Sequence, residues 1–122
     1  MHIYTDGSVL ICHGGIEMGQ GLNTKMIQIA SRALQLPSSK IHIQQTSTET
    51  VANGTATGGS AGTDTNGAAV LDACNILLQR LVPYRNPGAS TWEESVMAAY
   101  LDQVYMLQIY WNSIYYSWNF IP

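Results

Sequence analysis

Two glycine-rich stretches constrain the fold of this chain more than any other feature. Residues 14–21 hold four glycines in eight positions, and residues 57–62 hold three in six. Each stretch is followed by a segment whose apolar residues have helical spacing. Composition alone would suggest a flexible linker for the second. Because each leads into a helix, we predict tight, ordered connections in which glycine permits unusual backbone angles and close approach.

The first half of the chain predicts a β-β-α-β unit. Asp6-Gly7 lies between two short apolar runs, residues 2–5 and 8–13, which is a strong hairpin signal. Residues 22–34 have the apolar spacing of a helix, and the proline at position 37 ends it. Residues 41–44 alternate apolar and polar side chains. The expected sheet is therefore mixed and covered by a helix on at least one face.

Two more helices are predicted in the second half. The first extends over about residues 63–81, and the second begins after a Thr-x-x-Glu capping box at Thr91. The residues expected to face inward are Val70, Cys74, Leu77, Leu81, Trp92, Val96, Ala99 and Tyr100. Residues 105–122 show no clean period and stay unassigned. The predicted class is α+β, a mixed β-sheet with packed helices in the order β-β-α-β-α-α.

Both glycine-rich stretches end at a predicted helix N-terminus, where backbone N–H groups and the helix dipole favour an anion. Two such termini would grip an extended anionic ligand from two sides, with Gln20, Ser60 and Thr63 adding directional hydrogen bonds. This arrangement favours a phosphorylated cofactor. Neither stretch has a Walker A or dinucleotide-binding pattern. The alternative is that the glycines serve only sharp turns or close packing.

Charge and composition exclude several classes of protein. The net charge is −3, and the five Lys and Arg residues are scattered, which argues against a nucleic-acid partner. No apolar run approaches the ~20 residues of a membrane span, and no signal peptide is recognisable. We therefore expect a soluble, intracellular protein. Because only 11% of residues are charged, we also expect exposed apolar surface that faces other protein.

Other candidate site residues are weaker. Cys12 and Cys74 fit buried thiols, although their spacing leaves a disulfide open. Cys12 and His13 are adjacent strand residues that point to opposite faces, which argues against a shared metal. Glu17 fits a hydrogen bond within its turn better than a general base. We assign no catalytic and no metal-ligating residue.

The string Gly-Gly-Ile-Glu-Met-Gly-Gln-Gly, residues 14–21, is the most specific motif. With it, the chain resembles the molybdenum-cofactor-binding region of the xanthine dehydrogenase and aldehyde oxidase family. The similar segments are residues 6–10, 13–22, 24–26, 46–51, 53, 58–60, 66–67, 72–74 and 92–100. The resemblance implies that residues 1–104 are part of a molybdopterin-binding domain and that residues 105–122 are a divergent tail.

The resemblance implies a molybdenum hydroxylase, an oxidoreductase that inserts oxygen from water into a C–H bond of an aldehyde or N-heterocycle. It implies that the Mo-pyranopterin (molybdopterin) is contacted by Met18, Gly19, Gln20, Gly59, Ser60 and Gly62. The pterin dithiolene would hold the metal. The 2Fe-2S clusters and FAD would belong to the remaining domains of a full-length, cytoplasmic, homodimeric enzyme.

Two hypotheses follow from the resemblance. In the first, the chain is a fragment of such a hydroxylase and is inactive alone, because the family's base, substrate-orienting Arg and redox domains are missing. In the second, it is a non-catalytic remnant that acts as a binding or scaffold domain. Gly58-Gly59 and residues 46–51 favour the aldehyde oxidase branch over xanthine dehydrogenase, where Ala-Ala is usual.

Overall fold

The chain forms a small three-stranded sheet with three helices. A computed structural model describes residues 1–86, 88, 90–104 and 106. Its elements are β1 (His2–Ile3), β2 (Val9–Ile11), α1 (Leu22–Leu34), β3 (Ile41–Ile43), α2 (Gly62–Leu81) and α3 (Trp92–Leu101). This order confirms the predicted α+β class. Apart from Met106, the predicted tail lies outside the described residues.

The sheet is mixed, with β2 in the centre. β1 pairs with β2 in antiparallel register, His2 opposite Leu10, across the predicted Asp6-Gly7 turn. In that turn Gly7 has φ +82°, a conformation that favours glycine. β2 pairs with β3 in parallel, and Val9 lies opposite Ile41. The hairpin and the β-α-β unit that the sequence predicts are both confirmed.

The parallel pair fixes where the functional loops lie. Two parallel strands need a crossover connection, and α1 provides it between β2 and β3. The loop after β2 and the loop after β3 therefore leave the sheet at the same edge. The first loop leads into α1 and the second into α2, so the N-termini of both helices lie at that edge.

The core lies between the sheet, α1 and α2. α1 buries one residue per turn, and α2 buries the four residues that its spacing predicts. Tyr100 was expected to face inward, but that prediction is wrong, since its side chain is 58% exposed. The buried stripe of α3 is formed by Ser95, Val96 and Ala99. Tyr100 follows Ala99 by about 100° of rotation, which places it outside the stripe.

The start of α3 is attached to the hairpin. Thr91 and Glu94 form the predicted capping box, in which each side chain accepts a hydrogen bond from the other residue's backbone N–H. The Trp92 indole Nε1 donates to the Gly7 carbonyl at 2.8 Å. Lys40 and Glu93 form an ion pair beside this contact. The turn between β1 and β2 thus positions α3.

Both cysteines are free thiols, so the disulfide left open by the sequence does not form. Cys74 is fully buried in the core, and burial raises the pKa of its thiol to about 12. Cys12 is half-buried and donates to the Gln44 Oε1 at 2.8 Å. This contact links the ends of β2 and β3.

Replacement of Gly7 by alanine tests the attachment of α3. An added Cβ would lie 2.9 Å from the Trp92 ring at a backbone φ of +82°. We expect Gly7→Ala to lower the free energy of unfolding by about 2–4 kcal/mol, measured by urea denaturation. Gly88→Ala is the matched control, because Gly88 has φ +85° but no atom within 4 Å of the added Cβ. Equal losses in the two variants would contradict the role of Trp92.

Candidate functional site

The two loops at the common sheet edge contact each other directly. The Ile16 backbone N–H donates to the Thr57 hydroxyl at 2.9 Å. Gly54 packs against Gly14, since a Cβ added to Gly54 would lie 3.5 Å from the Gly14 carbonyl oxygen. The first loop is therefore held against the second loop close to the N-terminus of α2.

A cavity of about 320 Å³ opens between the two loops. It is lined by Met18, Gln20, Leu22 and Lys25 on one side and by Thr57, Gly58, Ser60, Gly62 and Thr63 on the other. Four of the six residues that the resemblance assigns to the cofactor line this cavity: Met18, Gln20, Ser60 and Gly62. Gly19 and Gly59 lie in the turns beside them. The assignment of these residues to a cofactor stays a prediction.

The second loop makes a strained turn at the cavity. Gly59 and Ser60 both have φ +60°, and the Ala61 N–H donates to the Gly58 carbonyl at 3.2 Å. Positive φ at both central residues is the pattern of a type I′ turn. A non-glycine residue with positive φ carries a conformational cost and is a frequent feature of functional sites. Ser60 has this strained conformation, and it lines the cavity.

Glycine is needed at different positions of the two stretches for different physical reasons. Gly19, Gly21 and Gly59 have positive φ, so their turns require them. Gly15 is required by packing, because an added Cβ would lie 2.5 Å from the Leu22 side chain. Gly58 has neither reason, since its φ is ordinary and no atom lies within 4 Å of an added Cβ. The alternative of turns and packing alone therefore explains Gly15, Gly19, Gly21 and Gly59, but it explains neither Gly58 nor Gly62, whose added Cβ would make only ordinary contacts of 3.8–3.9 Å.

Positive potential comes from α2 and from Lys25. No side chain caps the N-terminus of α2, and its first residues, Gly62 and Thr63, line the cavity. The positive end of the helix dipole thus borders the cavity. Lys25 adds a side-chain cation at the same cavity, whereas Asp64 in the first turn of α2 is not among the lining residues.

The N-terminus of α1 differs from the sequence expectation. Glu17 Oε1 accepts hydrogen bonds from the backbone N–H groups of Gly19 at 3.1 Å and Gly21 at 2.9 Å. Its Oε2 accepts from the Asn23 N–H at 2.9 Å. The amide of Asn23, followed by those of Gly21 and Gly19, holds the pKa of this carboxyl below its usual value. The prediction that the backbone N–H groups at the start of α1 are free for an anion is wrong. The predicted hydrogen bonding of Glu17 within its turn is confirmed.

The Gln20 amide also stabilises the first loop. Its Oε1 accepts from the Met18 N–H at 2.6 Å, and its Nε2 donates to the Ile16 carbonyl at 2.9 Å. A primary amide has two N–H donors, so one remains for another partner. The predicted hydrogen bond from Gln20 to a ligand is therefore compatible with this geometry and stays a prediction.

His13 connects β2 to the start of α1. Its ring is only 4% exposed; Nδ1 accepts from the Gly15 N–H at 3.2 Å, and Nε2 lies 2.8 Å from the Asn23 Oδ1. Burial lowers the pKa of His13, so the ring is neutral at pH 7 with its proton on Nε2. Among the described residues, no group of three or more His, Cys, Asp or Glu side chains is arranged to hold a metal ion.

The neutral His13 predicts a pH dependence of stability. As pH falls below about 6.5, the ordinary value of histidine, the unfolded chain takes up the proton before the folded chain does. The free energy of unfolding is therefore highest above that pH and falls below it, as protonation removes the acceptor for Gly15. Urea unfolding between about pH 5 and 8 measures this slope.

His13→Gln should reduce the slope, and His42→Gln, at an exposed strand position, is the matched control. His2 retains its own contribution, since burial lowers the pKa of that ring as well. A slope of the same size in His13→Gln and in the unmodified chain would contradict the assignment to His13.

Sequence reasoning did not assign four of the lining residues to the site: Leu22, Lys25, Thr57 and Gly58. Lys25 lies one turn into α1, and its position after a glycine-rich stretch was the available signal. Thr57 is bonded to Ile16 across 41 positions of sequence, and no local pattern indicates such a pair. Both residues line the cavity only because the two loops meet.

Comparison with known proteins identifies the family. Residues 1–119 match the model of the molybdopterin cofactor-binding domain. The chain is 59% identical over 106 residues to the xanthine dehydrogenase/oxidase of Felis catus and 55% identical over 105 residues to that of Rattus norvegicus. It is also 55% identical over 106 residues to aldehyde oxidase 3 of Mus musculus. Each match covers 85% of this chain but 8% of the relative's length.

These identities do not separate the two branches, because one xanthine dehydrogenase and one aldehyde oxidase are equally similar to the chain. In the part of the chain that the structure describes, no helix has the length and hydrophobicity needed to cross a bilayer. The glycine-rich loops and the cavity between them are consistent with the family that the sequence similarity identifies. The chain belongs to the molybdopterin cofactor-binding domain family, whose relatives here include xanthine dehydrogenases and aldehyde oxidases.

Proposed function

We propose that this chain forms one wall of the Mo-pyranopterin site of a molybdenum hydroxylase. One observation carries the proposal: both glycine-rich loops border the same cavity at the uncapped N-terminus of α2. The cofactor, when bound, supplies the redox chemistry that hydroxylates an aldehyde or N-heterocycle with oxygen from water. The chain's own part is to bind and orient the pterin.

The cavity fits a ligand of this kind. Its volume of about 320 Å³ lies within the usual range of small-molecule sites. Gly58 leaves its backbone open toward the cavity, and Lys25 and the dipole of α2 favour a negative group. A phosphorylated heteroaromatic molecule combines the planar edge and the negative charge that this lining suits.

Each of the two loops binds a different part of the ligand. We place the anionic group at the start of α2, where the Gly62 and Thr63 amides and the Ser60 hydroxyl can donate to it. We place the heteroaromatic edge at the first loop, within reach of the second N–H of Gln20 and the 67% exposed Met18 side chain. Gly19 and Gly59 permit the turns that hold these groups.

The rest of the enzyme is proposed on the family's pattern, since the chain covers 8% of the length of its relatives. The substrate, the 2Fe-2S clusters, FAD and the homodimer would belong to a longer, cytoplasmic protein. Exposed apolar side chains support contact with further domains, because Met97, Tyr100 and Leu101 share one face of α3 at 42%, 58% and 72% exposure. The alternative is a non-catalytic remnant that keeps the binding surface.

A chimera tests the proposal. This chain replaces the matched 106-residue segment of the Felis catus xanthine dehydrogenase/oxidase, and the purified protein is assayed for molybdenum and pterin. We expect cofactor content close to that of the parent enzyme. A folded chimera without cofactor would contradict the proposal. A chimera that holds the cofactor but hydroxylates neither aldehydes nor N-heterocycles would favour the remnant.

Filling the cavity from Gly58 should remove the cofactor without unfolding the chain. A Cβ added to Gly58 has no atom within 4 Å, and Gly58 lines the cavity, so we expect the Gly58→Val side chain to occupy the space between the loops. We expect molybdenum content of the chimera to fall about tenfold or more while the melting temperature stays within about 2 °C. Ala52→Val, on an exposed position outside the cavity lining, is the control. Normal molybdenum content in Gly58→Val would contradict the placement of the ligand.

Ser60→Gly should lower cofactor binding while it leaves the stability of the fold nearly unchanged. Glycine relieves the positive φ at position 60 but increases the freedom of the unfolded chain, so the free energy of unfolding should stay within about 1 kcal/mol. Loss of the hydroxyl removes a donor to the anionic group, and molybdenum content of the chimera should fall severalfold. A lower stability with unchanged molybdenum content would show that Ser60 serves the fold.

A further inference from the structure

Glu17 binds more backbone amides than any other side chain in the first loop. Its two carboxylate oxygens accept from the N–H groups of Gly19, Gly21 and Asn23 at 2.9–3.1 Å. The carboxylate itself is exposed. Gly21 is the N-cap residue of α1 and has no side chain to cap the helix, and Asn23 is its second residue. Glu17 therefore does from four residues upstream what an N-cap side chain does in other helices.

The N-termini of α1 and α2 are electrostatically different. A carboxylate at the start of α1 satisfies amides and opposes the positive end of that helix dipole. The start of α2 has no side-chain cap. Both termini lie at the same cavity, so only one of them is available to an anionic ligand.

We propose that Glu17 is a positioning residue that closes the α1 terminus to anions and so directs the anionic group of the ligand to α2. The proposal rests on the proposed function for the identity of that ligand. The same three hydrogen bonds fix the backbone between positions 17 and 23, which carries Met18 and Gln20 into the cavity. The Glu17 side chain thus determines which helix N-terminus can receive an anion and also shapes one wall of the cavity.

The charge and the length of the Glu17 side chain are both required for its three hydrogen bonds. A shorter aspartate cannot span Gly19, Gly21 and Asn23 together, and glutamine keeps one acceptor oxygen while its NH₂ group opposes the remaining N–H donors. The neighbouring ionisable groups are Lys25 on α1, His13 behind the loop and Asp64 on α2. The Gly19, Gly21 and Asn23 amides donate to the Glu17 carboxylate and not to any of these three groups.

The first test uses inorganic phosphate as the probe and the full 122-residue chain. In Glu17→Ala we expect hydrogen exchange at the Gly19, Gly21 and Asn23 amides to become about tenfold faster. We expect phosphate to shift the NMR signals of those amides in the variant and not in the unmodified chain. Added formate, a free carboxylate, should restore slow exchange, which a merely structural loss would not allow. Glu49→Ala, an exposed acid of the second loop, is the control.

Phosphate shifts at the α1 amides of the unmodified chain, or none in Glu17→Ala, would overturn the proposal. If Glu17→Ala does not fold, Glu17→Gln keeps the side-chain length and should raise exchange at only some of the three amides. Uniform protection of all three in Glu17→Gln would also overturn it.

The second test measures molybdenum and pterin in the chimera. We expect Glu17→Ala to lower cofactor content severalfold relative to the unmodified chimera, with a changed molybdenum EPR signal in the fraction that stays loaded. Unchanged content and signal would overturn the directing role. An unmodified chimera without cofactor would instead contradict the proposed function, and the phosphate titration would still decide whether Glu17 closes the α1 terminus.

Discussion

Parallel pairing between β2 and β3 determines which parts of this chain can meet. Val9 opposite Ile41 and Ile11 opposite Ile43 place the ends of both strands at one edge. Each strand continues into a loop and then into a helix, so two glycine-rich loops and two helix N-termini share that edge. In an antiparallel pair the second loop would leave from the opposite edge, and no cavity would form between the loops. The site is thus a consequence of strand direction, and the core of α1 and α2 keeps that direction fixed.

The first loop is exposed, yet its backbone amides are bonded to side chains of the protein. Glu17, Gln20, His13 and Thr57 accept hydrogen bonds from six N–H groups between positions 15 and 23. Backbone donors bonded in this way hold a loop in one conformation without help from a hydrophobic core. A ligand that enters such a loop meets a surface already arranged, so less ordering entropy opposes binding.

Much of the fold follows from local patterns, whereas the site depends on contacts that no local pattern shows. The Asp6-Gly7 hairpin, the helical spacing in α1 and the Thr91 capping box all act within a few residues, and all are confirmed. The capping rule fails at α1 because its N-cap is Gly21, and the carboxylate comes from outside the usual positions. The expected inward Tyr100 is wrong because α3 buries Ser95, Val96 and Ala99, and Tyr100 lies beside that stripe.

Gly58 and Ser60 present the clearest conflict between stability and binding. Position 58 has no positive φ, and an added Cβ would have no atom within 4 Å, so neither turn geometry nor packing requires glycine there. The backbone at position 60 has φ +60°, where glycine carries the least strain, yet the residue is serine. Stability alone would favour the opposite arrangement at these two positions. An open backbone at 58 and a hydroxyl at 60 fit the polar ligand that we propose, which would approach the turn closely, since a site that departs from local preference needs a compensating gain.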